Sequence, residues 1–490
     1  MNRNSIKSIK TLGELELSGY VSRSIGDELR QNLMQRIKEK TPIFQGVIGY
    51  EETVIPQLKT AILSKHAINL LGLRGQAKTR IARAMTSLLD EYIPIIAGSP
   101  INDDPFCPIS HYGKALKEEK GADLSIEWLH RDDRFFEKLA TPDVTVADLI
   151  GDIDPIKAAT QKLTYADERV IHFGMIPRAN RCIFVINEIP DLQARIQVAL
   201  FNILQEGDVQ IRGFKMRLPL DVQFVFTANP EDYTNRGSIV TPLKDRIGSQ
   251  ILTHYPKSLE IAKQITQQEI IEEFKNAKIH VPEIAKNLLE QIVFEARESD
   301  YIDANSGVSA RMSITMYENL MAAAELRMLE NNEEETAIRL ADFDAVIPAI
   351  TGKVELVYEG EQLGAEKVAQ RLIASAVKTI FDKTFRPIKK LKKPGMSDEF
   401  DLVVQWFLEN SNFELNTQAS GTVYAKQLER IQPMQKLLEE YTPDSDVRER
   451  LFLRELILWA LVEYKQLSKR KIQGGMSFQD ELLGSLYGKS

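Results

Sequence analysis

Residues Ala67-Ile68-Asn69-Leu70-Leu71-Gly72-Leu73-Arg74-Gly75-Gln76-Ala77-Lys78-Thr79, followed by Arg80-Ile81-Ala82-Arg83-Ala84-Met85, decide how the rest of the chain is read. A short apolar run leads into a glycine-bearing loop, a Lys-Thr pair and a stretch of helical character. That order is what a phosphate-binding loop requires. Backbone N–H groups must wrap anionic oxygens at a helix N-terminus, where the helix dipole also favours negative charge. In such a loop, Gly72 to Thr79, Lys78 reaches the β- and γ-phosphates and the Thr79 hydroxyl holds Mg²⁺. The usual second glycine before the lysine is here Ala77, whose methyl group is tolerable if that position is already helical.

Two further continuous apolar runs, Ile183–Ile186 and Val222–Thr227, alternate with helical patterns up to about Ile251. Runs this continuous suit strands buried on both faces, which predicts a parallel sheet between layers of helix. Phe184, Phe224 and Phe226 are assigned to its core. The run from Cys182 ends in Asn187-Glu188, the position of an acidic pair in a Walker B strand. The first residue of that pair orients water around Mg²⁺, and the glutamate polarises the attacking water. Asn187 keeps an acceptor oxygen but brings no charge, so weaker metal binding and slower turnover are expected. Phe224-Val225-Phe226-Thr227-Ala228 leads into Asn229, an amide placed to hold the lytic water.

At 490 residues the chain suggests roughly three domains. Its composition, 43% hydrophobic and 27% charged, is far from that of a disordered chain. With 62 basic against 70 acidic residues the net charge is −8, which argues against coating nucleic acid through bulk charge. Cys107 and Cys182 allow no disulfide framework. No apolar segment follows Met1–Ser5, and no run approaches the roughly 18 residues a membrane helix needs, so a cytoplasmic protein is expected. The expected division is a helical arm at 1–40, an α/β core at 41–253, a helical lid at 254–352 and a helical region at 353–490. Apolar spacing predicts helices over Ser24–Lys40, Ser258–Glu273, Pro282–Glu298, Ser309–Glu330 and Leu340–Ile350. A basic, proline-containing break falls at Arg386–Gly395. The six histidines form no HExxH pair, and His130-Arg131-Asp132-Asp133-Arg134 reads as a solvated, charged helix end.

Over residues 42–330 the chain resembles the AAA+ ATPases, and within them the magnesium-chelatase ATPase subunit and the related MoxR group. The likeness is carried by Gly98-Ser99-Pro100-Ile101-Asn102-Asp103-Asp104-Pro105 and by Leu149-Ile150-Gly151-Asp152-Ile153-Asp154-Pro155-Ile156-Lys157-Ala158, which resembles the opening of the family's helix-2 insert. It is carried further by Gly174-Met175-Ile176-Pro177-Arg178-Ala179-Asn180-Arg181, by Ala228-Asn229-Pro230-Glu231 with Leu243-Lys244-Asp245-Arg246, and by Gly307-Val308-Ser309-Ala310-Arg311. The resemblance implies a P-loop AAA+ sheet followed by an all-α lid, with the additional helical C-terminal domain lying outside it. It also implies ATP and Mg²⁺ as ligands, and a homo-oligomeric ring, commonly hexameric, with ATP between subunits. In that ring Glu188 and Asn229 are catalytic. Arg246 is the arginine finger facing a neighbour's γ-phosphate, and Arg311 is a lid residue touching phosphate. A planar, permanently charged guanidinium suits the charge that spreads in phosphoryl transfer.

The favoured activity is an ATP-driven ring that remodels or activates a partner protein, which the resemblance implies carries a von Willebrand factor A domain. Two alternatives stay open. One is a magnesium-chelatase subunit driving Mg²⁺ insertion into a porphyrin; the other is a nucleotide-gated scaffold with little turnover. The segment Leu149–Ile156 holds no GAFTGA loop, which disfavours a transcription activator.

Overall fold

A computed structural model of the protein describes residues 8–163, 167–206, 208–211, 217–230, 238–275, 277–388, 399–410 and 413–480. The chain forms two compact units, 1–254 and 255–490.

The first unit is built on five parallel strands: β1 (Ile68–Leu71), β2 (Phe135–Leu139), β3 (Cys182–Asn187), β4 (Val222–Ala228) and β5 (Ser249–Leu252). Their order across the sheet is β5-β1-β4-β3-β2. The three apolar runs read from sequence are the three central strands, and they are apolar throughout because both faces are covered. Ile183 and Val185 of β3 pack into one layer with Ile68, Leu70 and Val225. Cys182, Phe184 and Ile186 pack into the opposite layer with Phe224, Phe226 and Leu200. The two edge strands, by contrast, are not continuously apolar.

Helix α1 (Ile25–Glu39) is capped by the Ser24 hydroxyl, which accepts from the Asp27 backbone N–H, and it ends at a left-handed Lys40. Its Ile25, Leu29 and Leu33 enter the same layer as Ile68 and Val185. The arm is therefore part of the α/β unit's core. Glu28 goes inside with them. Its carboxylate accepts from Arg134 Nη1 and Nη2 at 2.7 and 2.6 Å and from the Asp90 N–H at 2.6 Å. Arg134, 1% exposed, also donates to the Arg181 carbonyl at 3.0 and 2.8 Å. The segment His130–Arg134 is thus not a solvated helix end: a tight 3₁₀ turn at Arg131–Arg134 rotates its last arginine into the core.

The second unit is mostly helical. Helices α4 (Glu283–Glu298), α5 (Arg311–Glu330), α6 (Ala365–Thr384) and α7 (Val447–Glu463) dominate it; α2 (Lys78–Ala84) and α3 (Thr241–Arg246) belong to the first unit. One apolar core runs from Ile279 to Phe478, so residues 353–480 share it with the helices before them. The C-terminal region also carries a three-stranded antiparallel sheet, with β6 (Phe413–Leu415), β7 (Leu467–Ile472) and β8 (Gly475–Asp480) in the order β6-β8-β7. Purely helical text does not hold before residue 352 either, because Ile279–His280 pairs in parallel with Thr336–Ala337. Of the basic break, 389–395 lies outside the described residues. Among the described residues no helix is long and apolar enough to cross a membrane.

Candidate nucleotide site

In the sheet order β1, β4 and β3 are adjacent, so their carboxyl ends deliver three short polar segments to one place. Ligand sites of open α/β sheets form at such ends. β1 delivers the loop Gly72–Ala77, which opens helix α2. Gly72 is sterically required, because a Cβ there would collide with Thr253 Oγ1 and Gln76 Oε1. Those two atoms are hydrogen-bonded at 2.7 Å and tie the loop to the residue after β5. Tyr50 fixes the other side by donating to the Gln76 and His254 carbonyls at 2.9 and 2.7 Å. Gly75 has φ +73°. Ala77 has φ 55° and ψ 21°, so its position is left-handed and not helical as the alanine substitution suggested. An alanine there costs roughly 1 kcal/mol relative to a right-handed conformation, and the loop holds it nonetheless.

The side chains meet as the sequence order suggested. Lys78, 8% exposed, donates from Nζ to the Gly72 carbonyl, to the Leu73 carbonyl at 3.1 Å and to Asn229 Oδ1 at 2.6 Å. Asn229 in turn donates from Nδ2 to Glu188 Oε2 at 2.9 Å. Glu188 sits in a left-handed turn immediately after β3, at φ 55°, and its N–H donates to Thr227 Oγ1 at 3.2 Å. The ammonium, the amide and the carboxylate therefore form one continuous chain of charge-assisted bonds.

Beside it, Asn187 Oδ1 accepts from Thr79 Oγ1 at 3.4 Å and from Thr227 Oγ1 at 3.1 Å. Asn187 Nδ2 donates to Glu137 Oε1 at 2.6 Å. Glu137 and Thr227 escaped the sequence reading. Each sits inside a strand, and only the register of β2 and β4 against β3 brings it to the site.

Two arginines were also singled out from the sequence. Arg246, on the last turn of α3, is exposed, pairs with Asp245 at 2.7 Å and lies over the Phe201 ring. Arg311 is exposed at the first residue of α5, in the second unit. Of the insert aspartates, Asp154 caps the helix Pro155–Gln161 by accepting from the Ile156 and Lys157 N–H groups. Glu231 lies outside the described residues.

This strand order and this loop define a P-loop α/β domain, and residues 125–247 match the family described as the AAA domain, dynein-related subfamily. The magnesium-chelatase 38 kDa subunit of Cereibacter sphaeroides is 25% identical over 233 residues, which cover 45% of this chain and 61% of that protein. The corresponding subunit of Rhodobacter capsulatus is 25% identical over 228 residues, covering 46% of this chain and 59% of that one. The chain thus spans about three-fifths of the length of these curated relatives. Among solved structures, the complex of subunits BchI and BchD of magnesium chelatase aligns at 18% identity with a TM-score of 0.33, covering 66% of this chain and 99% of that one. NtrX from Brucella abortus in complex with ATP aligns at 12% identity with a TM-score of 0.40, covering 81% of this chain and 72% of that one. The chain is thus similar to AAA domain proteins over residues 125–247. Within that class it resembles the magnesium-chelatase ATPase subunit and the related MoxR group.

Proposed function

We propose that this chain binds ATP with Mg²⁺ on the loop Gly72–Thr79 and hydrolyses it at the ends of β3 and β4. The observation that carries the reading is the unbroken Lys78–Asn229–Glu188 chain, which brings a phosphate-binding ammonium, a water-holding amide and a general-base carboxylate into direct contact. The donor set suits a hard divalent cation, since Thr79, Asn187 and Glu137 present oxygen atoms. When bound, such a cation neutralises charge on the transferred phosphoryl group. Glu188 takes the proton of the attacking water, and Asn229 holds both that carboxylate and the water in line. Lys78 exchanges its internal acceptors for phosphate oxygens.

Arg246 fits a role between subunits. It is exposed, and its ion pair with Asp245 is a surface one, worth little. We therefore read the protein as a homo-oligomeric ring in which Arg246 completes a neighbour's site and Arg311, on the family resemblance, is a phosphate-contacting residue. Its energy output is directed at a partner protein, of von Willebrand factor A type on the family resemblance, in the cytoplasm. The neutral amide at position 187 favours slow turnover. The alternative that the curated relatives support is a chelatase subunit.

The test is phosphate release by five preparations: wild type, Glu188→Gln, Lys78→Met alone, Arg246→Ala alone, and a mixture of Lys78→Met with Arg246→Ala. Glu188→Gln should lower turnover at least about 10²-fold, and Arg246→Ala alone about 10³-fold with nucleotide affinity retained. The mixture should regain activity, because each site draws on two copies. A wild type already as slow as Glu188→Gln favours the scaffold, and a mixture with no recovery refutes the shared site.

A further inference from the structure

We propose that Glu137 is the positioning carboxylate of the cation side of this site, supplying the negative charge that Asn187 lacks. The proposal rests on the ATP reading above. Position 187 ends a buried strand, and its amide is held by three neighbours. A carboxylate can only accept hydrogen bonds, so the amide NH₂ must face Glu137, and Oδ1 is then forced toward the hydroxyls of Thr79 and Thr227. Glu137 thereby aims the amide oxygen at the Thr79 side and polarises it, since a charged acceptor on one end of an amide strengthens the acceptor at the other.

The same 2.6 Å contact explains why an asparagine stands at 187. Two carboxylates at this separation could not both stay ionised, and one would hold a proton. An amide at 187 with a carboxylate at 137 keeps one full negative charge at the cation side, moved one strand across. On this view Asn187 marks a relocated charge and not a decayed motif.

Arg83 is the competing partner. Its Nη2 lies 2.9 Å from Glu137 Oε2, and its guanidinium rests over the Phe135 ring at 4.4 Å. The Arg83 side chain is 63% exposed and that of Glu137 31%, so this is a weak, releasable surface pair. If Glu137 were only a strut joining β2 to α2, removing either partner would act in the same direction. If it serves the cation, the two removals act differently.

The experiment titrates a fluorescent ADP analogue into the full chain, once with excess Mg²⁺ and once with EDTA. The ratio of the two affinities is read, and Mn²⁺ binding to the nucleotide complex is followed by electron paramagnetic resonance. E137Q should lower the ratio and the Mn²⁺ affinity about tenfold, the usual cost of losing an outer carboxylate at a metal site, while leaving affinity in EDTA within about twofold. E137Q/N187D should restore the ratio, because it returns a carboxylate to the strand end. R83A, at an exposed side chain that folding does not depend on, should leave the ratio unchanged or raise it. A ratio unchanged in E137Q, an equal loss with and without Mg²⁺, or a loss in R83A matching that in E137Q overturns the proposal. Absence of nucleotide binding by the wild type in either condition refutes the ATP reading instead.

Discussion

Replacing Lys78 by methionine keeps the length of the stem and removes only the ammonium. Nζ donates to the Gly72 and Leu73 carbonyls and to Asn229 Oδ1. On binding a triphosphate it trades some of these for β- and γ-phosphate oxygens. Hydrogen bonds between charged groups contribute about 1.5–3 kcal/mol each, so two such bonds amount to about 3–6 kcal/mol. Releasing the internal acceptors offsets roughly half of that. A net loss of about 2 kcal/mol is a loss of about 30-fold in affinity. It should appear in EDTA as well as in Mg²⁺, because the ammonium acts on phosphate directly. Equilibrium titration with a fluorescent ATP analogue reads it, with thermal unfolding as the control for the fold. An affinity within about threefold of wild type would refute the placement of phosphate at this loop.

Glu28→Gln should destabilise the first unit by about 3–5 kcal/mol, because it leaves the buried Arg134 guanidinium without its counter-charge. Urea denaturation measures this, and a change under about 1 kcal/mol would contradict it. The second unit carries a titration of its own. Burial pushes the Glu455 carboxyl up to about 7, with Asp342 adding to the rise, while Tyr424 and the Leu340 N–H oppose it. The folded state therefore holds this proton more tightly than the unfolded chain. The resulting stabilisation is complete below about pH 4 and declines as pH rises toward 7. Between pH 5 and pH 8 the unit should lose about 2 kcal/mol, seen as a lower urea midpoint, and Glu455→Gln should flatten that slope. Equal slopes in the two proteins would exclude Glu455 as the source.

The central strands and the loop Gly72–Ala77 were legible because burial on both faces forces continuous apolar runs, and because few local patterns place Lys-Thr at a helix start. The edges of the sheet were not. Phe135–Leu139 includes Glu137 and Lys138, and Ser249–Leu252 is half polar, since an edge strand is covered less completely. The hairpin of β7 and β8 did leave a signal, a Gly474-Gly475 pair before the alternating Met476-Ser477-Phe478-Gln479, but the surrounding helical text masked it. The handedness of Ala77 has no trace in composition. The partnership of Glu28 with Arg134 spans 106 residues, and that of Glu137 with Asn187 spans 50. Both depend on register and topology, which no local window contains.

The continuous core of the second unit has a mechanical corollary. Phe343 meets Phe452 edge to face, and Phe381 packs against Phe385, Phe400 and Tyr464, so aromatic rings rivet the earlier helices to the later ones. Close-packed interiors transmit displacement instead of absorbing it. Any tug on α4 or α5 is therefore felt at once by the strands near residues 413–480, which makes that distal sheet a stiff handle. Cutting the chain after residue 352 would not free a smaller working unit; it would remove the later part of this core and uncover Phe343, which packs against Phe452.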